Sequence, residues 1–158
     1  MTIAIGERFP DVTLKTPGPD GPEELRTGAF LAGRRVVLFA LPGAFTPGCS
    51  NTHMPSFVVN ADKLLARGID AIACLAVNDA FVMGAWQKDQ NAQAMTMLAD
   101  GNAELTRALG MENDRSASGM GLRSKRFAMI LDDGVVTWLG IDEQGVDQSS
   151  AESVLARL

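Results

Sequence analysis

The chain has 158 residues, 46% of them hydrophobic and 21% charged, a size and mix that fit one globular domain, 1–158, with a substantial core. A formal charge of -5 excludes the basic surface that phosphate neutralisation needs, so nucleic acid is not an expected partner. No apolar run reaches the roughly 18 residues of a membrane span. Met1 to Phe9 has no signal-peptide core, so a soluble, unexported, cytoplasmic protein with no membrane partner is expected.

In chain order, Thr16 to Pro22 is rich in Pro and Gly and reads as a surface loop. Arg35 to Leu41 is a continuous apolar run with β-branched residues, and Ile69 to Val77 is a second. Both suit interior strands of a parallel sheet, buried on two faces. Between them Phe57, Ala61, Leu64 and Leu65 recur at the spacing of one helix face, and Arg67-Gly68 supplies a basic last turn and a glycine stop. Pro55 inside this helix removes an amide donor, so a bend is expected near it.

Ala80 to Gln90 reads as a helix in which Trp86, Phe81 and Val82 are packing residues, Met95 to Leu98 as a short strand, and Ala103 to Leu109 as a helix stopped by Gly110. Asn113 to Ser124, rich in Ser and Gly, reads as a flexible loop flanked by Met111 and Met120, which are placed to line a pocket or an interface. The other methionines, Met129 among them, read as core filler. Phe127 to Leu131 and Val135 to Leu139 flank Asp132-Asp133-Gly134, an antiparallel hairpin signal at one side of the sheet. Ser149 and Glu152 have capping-box spacing, after which Ala151 to Leu158 closes the chain as a helix.

The two cysteines, Cys49 and Cys74, form no Cys-x-x-Cys pair, which excludes a disulfide framework. Cys74 lies inside an apolar strand and reads as an inert core thiol. Cys49 follows Thr46-Pro47-Gly48, where Thr suits an N-cap and Pro the first helical position, which puts Cys49 in the first turn of a helix. Free amides and the helix dipole there favour thiolate over thiol, so this sulfur is placed to act as a nucleophile. The competing reading is a small apolar residue at a helix end.

The surrounding residues favour the reactive reading. Pro42-x-x-x-Thr46-x-x-Cys49 is the active-site motif of the peroxiredoxins, and Gly43-Ala44-Phe45-Thr46-Pro47-Gly48-Cys49-Ser50 closely resembles their type II, 5-like subfamily. Ile5 to Pro10, Ala73 to Phe81 and Arg123 to Phe127 match as well, in the same order along nearly the whole chain. The resemblance implies an α/β, thioredoxin-like fold with a central mixed β-sheet flanked by helices. It also implies a thiol peroxidase of antioxidant defence, reducing hydrogen peroxide and small organic hydroperoxides through a sulfenic acid at Cys49, with no cofactor and no metal.

Displacement at a peroxide oxygen needs an ionised sulfur, a donor aimed at the peroxide and a fixed cation for the developing charge. By resemblance Cys49 is the nucleophile, Thr46 donates to the peroxide, Pro42 shields the site from water and Arg126, just before Phe127, is the cation. Arg123 and Lys125 are then left as solvated loop charges. Gly145 to Ser150 holds no resolving cysteine, so the resemblance implies a one-cysteine cycle closed by an external thiol, glutathione with glutaredoxin first and thioredoxin second. It also implies a homodimer with Phe45 near the interface. His53, the only histidine, lies four residues after Cys49 and suggests a Cys-His pair, but an ionised thiolate needs no base, so a structural role is expected. Two other chemistries would use the same residues: a cysteine hydrolase with His53 as base, for which no oxyanion hole or orienting acid is legible, and a metal carrier with Cys49, His53 and Cys74 as soft ligands.

Overall fold

The computed structural model describes Met1–Leu158. The first half runs β1 (Thr13–Gly18), β2 (Gly21–Arg26), α1 (Thr27–Leu31), β3 (Arg35–Ala40), a π-helical turn (Cys49–His53) that leads into α2 (Met54–Ala66), and β4 (Ala71–Ala76). The second half runs α3 (Ala80–Asp89), β5 (Met95–Ala99), α4 (Glu104–Ala108), β6 (Glu112–Asp114), β7 (Leu122–Ser124), β8 (Arg126–Asp132), β9 (Val135–Asp142) and α5 (Ala151–Leu155).

Seven strands form one sheet in the order β2-β1-β5-β4-β3-β8-β9. The apolar runs β3 and β4 pair in parallel, as do β4 and β5, while β8 lies antiparallel on the other side of β3. Alternation along these central strands sends side chains to two cores. Val37, Phe39, Cys74, Met97 and Ile130 face Phe57 and Leu64 of α2, Trp86 of α3 and Val154 of α5. Val36, Leu38, Leu75, Phe127 and Met129 face Leu31 of α1 and Leu105 of α4. The result is the thioredoxin-like mixed sheet between helices that the resemblance implies. The rings of Phe39 and Phe57 stack with centroids 3.9 Å apart and planes 1° from parallel, tying β3 to α2. Truncating such a buried ring costs about 3–5 kcal/mol.

The hairpin of β8 and β9 forms as expected: Asp133 (φ 49°) and Gly134 (φ 78°) both take the left-handed conformation of a type I′ turn. Five expectations are corrected. Thr16 to Pro22 is not a loop, because Pro17 faces Pro22 across β1 and β2 at the sheet edge, where a missing amide donor is tolerated. Asn113 to Ser124 contains a two-stranded ribbon, β6 on β7, closed by a 3-10 turn at Ser116–Ser118. Leu65 is 41% exposed, so the buried stripe of α2 is narrower than its apolar positions suggest. Ser149 does not cap α5; Ser150 does, its hydroxyl accepting from the Ser153 amide at 3.1 Å, and the helix ends at Leu155. Met111 is fully buried core and lines no pocket.

Candidate active site

The site sits where β3 ends. Ala40 is paired with Phe127 of β8, so the antiparallel register carries Arg126 beside the loop that starts at Leu41. That loop is tied down by the Leu41 amide on the Leu75 carbonyl (3.2 Å) and by the Ala44 amide on Asn78 Oδ1 (2.9 Å). Pro42 is buried within it, and Phe45, held at φ 63°, turns its ring outward at 54% exposure.

Helical hydrogen bonding begins with the Ser50 amide on the Thr46 carbonyl at 2.8 Å, so Cys49 does lie in the first turn. The Thr46 side chain does not cap that turn, however. Its hydroxyl donates to the Gly43 carbonyl at 2.7 Å, which leaves its lone pairs open. The bend expected near Pro55 takes the form of the π-helical turn, in which the Met54 amide reaches the Cys49 carbonyl. The widened turn accommodates a proline whose ring would collide with the Asn51 carbonyl in a regular helix. Trp86 is fully buried and anchors the turn by donating Nε1–H to Ser50 Oγ at 2.9 Å, whereas Phe81, expected to pack beside it, is 74% exposed.

Cys49 has no exposed surface, and its sulfur accepts from Arg126 Nη2 at 3.3 Å. Nη1 of the same guanidinium donates to His53 Nδ1 at 2.8 Å. On its far side the imidazole meets the Ser149 carbonyl, Nε2 to O 2.9 Å. A carbonyl only accepts and a guanidinium only donates, so Nε2 carries the proton and Nδ1 is bare. The ring is therefore neutral. Burial against Phe39 and Phe57, reinforced by the Arg126 charge, pushes the His53 pKa down to about 3. With both nitrogens engaged, His53 has no capacity to serve as the base of a hydrolase, and the structural role expected for it becomes a specific one: it holds Arg126 against the sulfur.

Behind His53 lies Asp142, at the end of β9. Burial acts to raise its pKa, but hydrogen bonds from Ser149, Asp147 and Gln148 outweigh that and hold the carboxyl below the ordinary carboxylate range. The carboxylate accepts from the three amides at 2.8–2.9 Å and from Ser149 Oγ at 2.6 Å, which curls the loop after β9 and presents the Ser149 carbonyl to His53. A buried chain thus runs from Asp142 through Ser149, His53 and Arg126 to Cys49.

One of the other basic residues differs from expectation. Arg123 is not a solvated loop charge: it donates to the Met120 carbonyl (2.9 Å) and the Val77 carbonyl (3.1 Å) at the rim of the loop. Two glycines also belong to the site. A Cβ on Gly48 would lie 3.1 Å from Arg126 Nη2, and one on Gly43 would lie 3.0 Å from Arg123 Nη1. Glycine in a first helical turn, where it is a poor helix former, is the sequence signal that marks Gly48. Cys74 is fully buried in β4; burial, then the neighbouring Cys49, pushes its thiol well up, so it stays protonated. The side chains of Cys49, His53 and Cys74 form no metal-ligating cluster.

A redoxin family profile matches residues 4–155. The chain is similar to peroxiredoxin-2E-2, chloroplastic, of Oryza sativa subsp. japonica, with 51% identity over 99% of this chain and 73% of the rice protein. Among solved structures it is similar to reduced Prx3 of Vibrio vulnificus in complex with hydrogen peroxide, with TM-score 0.95, 48% identity and 99% of each chain covered. It is also similar to a Burkholderia cenocepacia protein named provisionally as a thioredoxin reductase, with TM-score 0.97, 47% identity, 100% of this chain and 99% of that one covered.

Proposed function

This chain belongs to the peroxiredoxins of the redoxin family and is a thiol peroxidase, and we propose that it reduces hydrogen peroxide and small organic hydroperoxides at Cys49 in a one-cysteine cycle. The observation that carries this reading is the Arg126 guanidinium, 3.3 Å from Cys49 Sγ and fixed from behind by neutral His53.

The thiolate of Cys49 attacks the hydrogen-bearing oxygen of the hydroperoxide. The S–O bond forms as the O–O bond breaks, and the alkoxide or hydroxide leaves with the electron pair and takes a proton from water. Arg126 faces the charge in both forms, first on sulfur and then on the leaving oxygen. Thr46 turns its hydroxyl proton from the Gly43 carbonyl to the bound peroxide, and Pro42 keeps bulk water from the sulfur.

The Cys49 sulfenic acid is reduced by an external thiol, because Cys74 is sealed in β4 and protonated. Glutathione with glutaredoxin is the favoured reductant and thioredoxin the second. Two free thiols and no disulfide suit a reducing compartment, and the cytoplasm is the proposed location. Exposed Phe45 beside the active-site loop suits a homodimer contact.

The test mixes reduced protein with one equivalent of hydrogen peroxide, traps sulfenic acid and follows intact mass from milliseconds. Rapid adduct formation that needs Cys49 alone supports the cycle. An intramolecular disulfide needing both cysteines, or a reaction no faster than that of a free thiol, would overturn it.

A further inference from the structure

Next to the Cys49–Arg126 pair lies a hollow of about 500 Å³, within the range of small-molecule sites, in which Pro42 is the least polar wall. Pro42 and Arg126 form its inner side, so it opens directly onto the groups that hold the reacting sulfur. One outer wall is the β6–β7 ribbon, which brings in Arg115 and Lys125; the other is the turn after β9, with Asp142 and Glu143.

The charge arrangement inside it is unusual for this chain. The net charge is -5, yet Arg115, Lys125 and Arg126 converge on one concavity. The two ion pairs of the protein, Lys15–Glu24 and Arg26–Asp11, lie elsewhere, and neither the Arg115 nor the Lys125 side chain is engaged in either of them. Both are half-buried. Asp142 does not pair with them, because its carboxylate is occupied by four donors of its own loop. The walls are held by backbone bonds: the Arg115 amide to the Gly121 carbonyl at 2.7 Å, and the Lys125 amide to the Met111 carbonyl at 2.8 Å. Two unpaired cations on fixed backbone therefore face an exposed carboxylate, Glu143, across a hollow that ends at the catalytic arginine.

We propose that this hollow is the binding site for a small zwitterionic thiol, one that carries carboxylates for Arg115 and Lys125 and an ammonium for Glu143, and that it delivers this thiol to oxidised Cys49. The proposal rests on the external-thiol reading above and adds the place and chemistry of recognition. The bound thiol loses its proton and attacks the sulfenic sulfur of Cys49. The new S–S bond forms as the S–O bond breaks, and the departing hydroxide takes up the proton as water. A second thiol then attacks the outer sulfur, releasing the small-molecule disulfide and the Cys49 thiolate, so that two thiols are oxidised for each sulfenic acid reduced.

The experiment uses glutathione as the zwitterionic probe and 2-mercaptoethanol as a thiol with neither carboxylate nor ammonium. The protein is oxidised with one equivalent of hydrogen peroxide, and the second-order rate of sulfenic acid loss is measured with each thiol in the wild type and in Arg115→Gln, Lys125→Gln and the double variant. The ratio of the two rates cancels any general damage to the site, since both thiols report on the same sulfenic acid. The expected result is a wild-type ratio well above one that falls roughly five- to thirty-fold in the double variant, and falls in the wild type as salt is raised. A wild-type glutathione rate no higher than that of 2-mercaptoethanol would overturn the site, and a sulfenic acid that neither thiol reduces would overturn the external-thiol cycle as well. A high wild-type ratio that survives in the double variant would overturn the site alone and leave the external-thiol cycle standing.

Discussion

Arg126 and His53 are joined by a hydrogen bond of 2.8 Å in which the guanidinium donates to a bare imidazole nitrogen, and that bond aims the other end of the guanidinium at Cys49. A planar fork can hold both partners at once, which an ammonium cannot do with the same geometry. Arg126→Gln is expected to slow the reaction with hydrogen peroxide about 100- to 1,000-fold, with Arg126→Lys also impaired. His53→Ala should slow it about ten-fold through loss of aim. Stopped-flow rates for the double variant decide whether His53 acts through Arg126: in that case His53→Ala costs nothing further when Arg126 is already Gln. A fully additive effect would deny the coupling.

The two cysteines should separate cleanly. Cys49→Ser is expected to abolish sulfenic acid formation, while Cys74→Ser, which removes a buried, protonated thiol in β4, should leave the peroxide rate within about two-fold of wild type. Intact-mass kinetics with a sulfenic acid trap read both variants in one assay.

Gly48→Ala separates helix propensity from site geometry. Alanine is the better helix former by about 1 kcal/mol, yet its Cβ would press on Arg126 Nη2 at 3.1 Å. The expected outcome is a melting temperature unchanged or raised, together with a several-fold slower peroxide reaction. An undiminished rate would mean that the guanidinium yields without losing its aim.

Acid stability should carry the mark of His53. Its folded pKa of about 3 lies below its ordinary value of 6.5, so between these values the unfolded chain binds the proton and the folded one does not. Stability from this group is therefore complete above about pH 6.5 and is lost as pH falls toward 3. The loss is on the order of 5 kcal/mol. Denaturant titrations from pH 7 to pH 4 should show wild type losing stability more steeply than His53→Phe, and equal slopes would contradict the assignment.

The outward ring of Phe45 offers a test of assembly. Phe45→Glu places a charge on the proposed contact and is expected to shift sedimentation from dimer toward monomer at micromolar concentration. An unchanged dimer would move the interface elsewhere, with exposed Phe81 the next residue to substitute.

Much of the fold was legible because its signals are local. The continuous apolar runs of β3 and β4 report burial on two faces, and Asp133-Gly134 reports a tight turn. The edge hairpin β1–β2 and the β6–β7 ribbon were missed because their residues, rich in Pro, Gly and Ser, carry no periodic apolar pattern; β1 is held against β5 and α3, far along the chain. The Ser149 cap failed for a related reason: Asp142, seven residues upstream, takes its hydroxyl, and the cap passes to Ser150.

The same division holds at the site. The sequence by itself determined that Cys49 stands in the first turn of a helix beside Pro42, Thr46 and a proline-interrupted turn, since helix starts depend on a few adjacent residues. How one guanidinium holds both the sulfur and the imidazole, which nitrogen of His53 carries its proton, and why two cations converge on one concavity were decided only by the tertiary structure. Those answers depend on the antiparallel register of β8 on β3 and on the loop that Asp142 curls behind His53, contacts between residues 73 and 96 positions apart that no local pattern encodes.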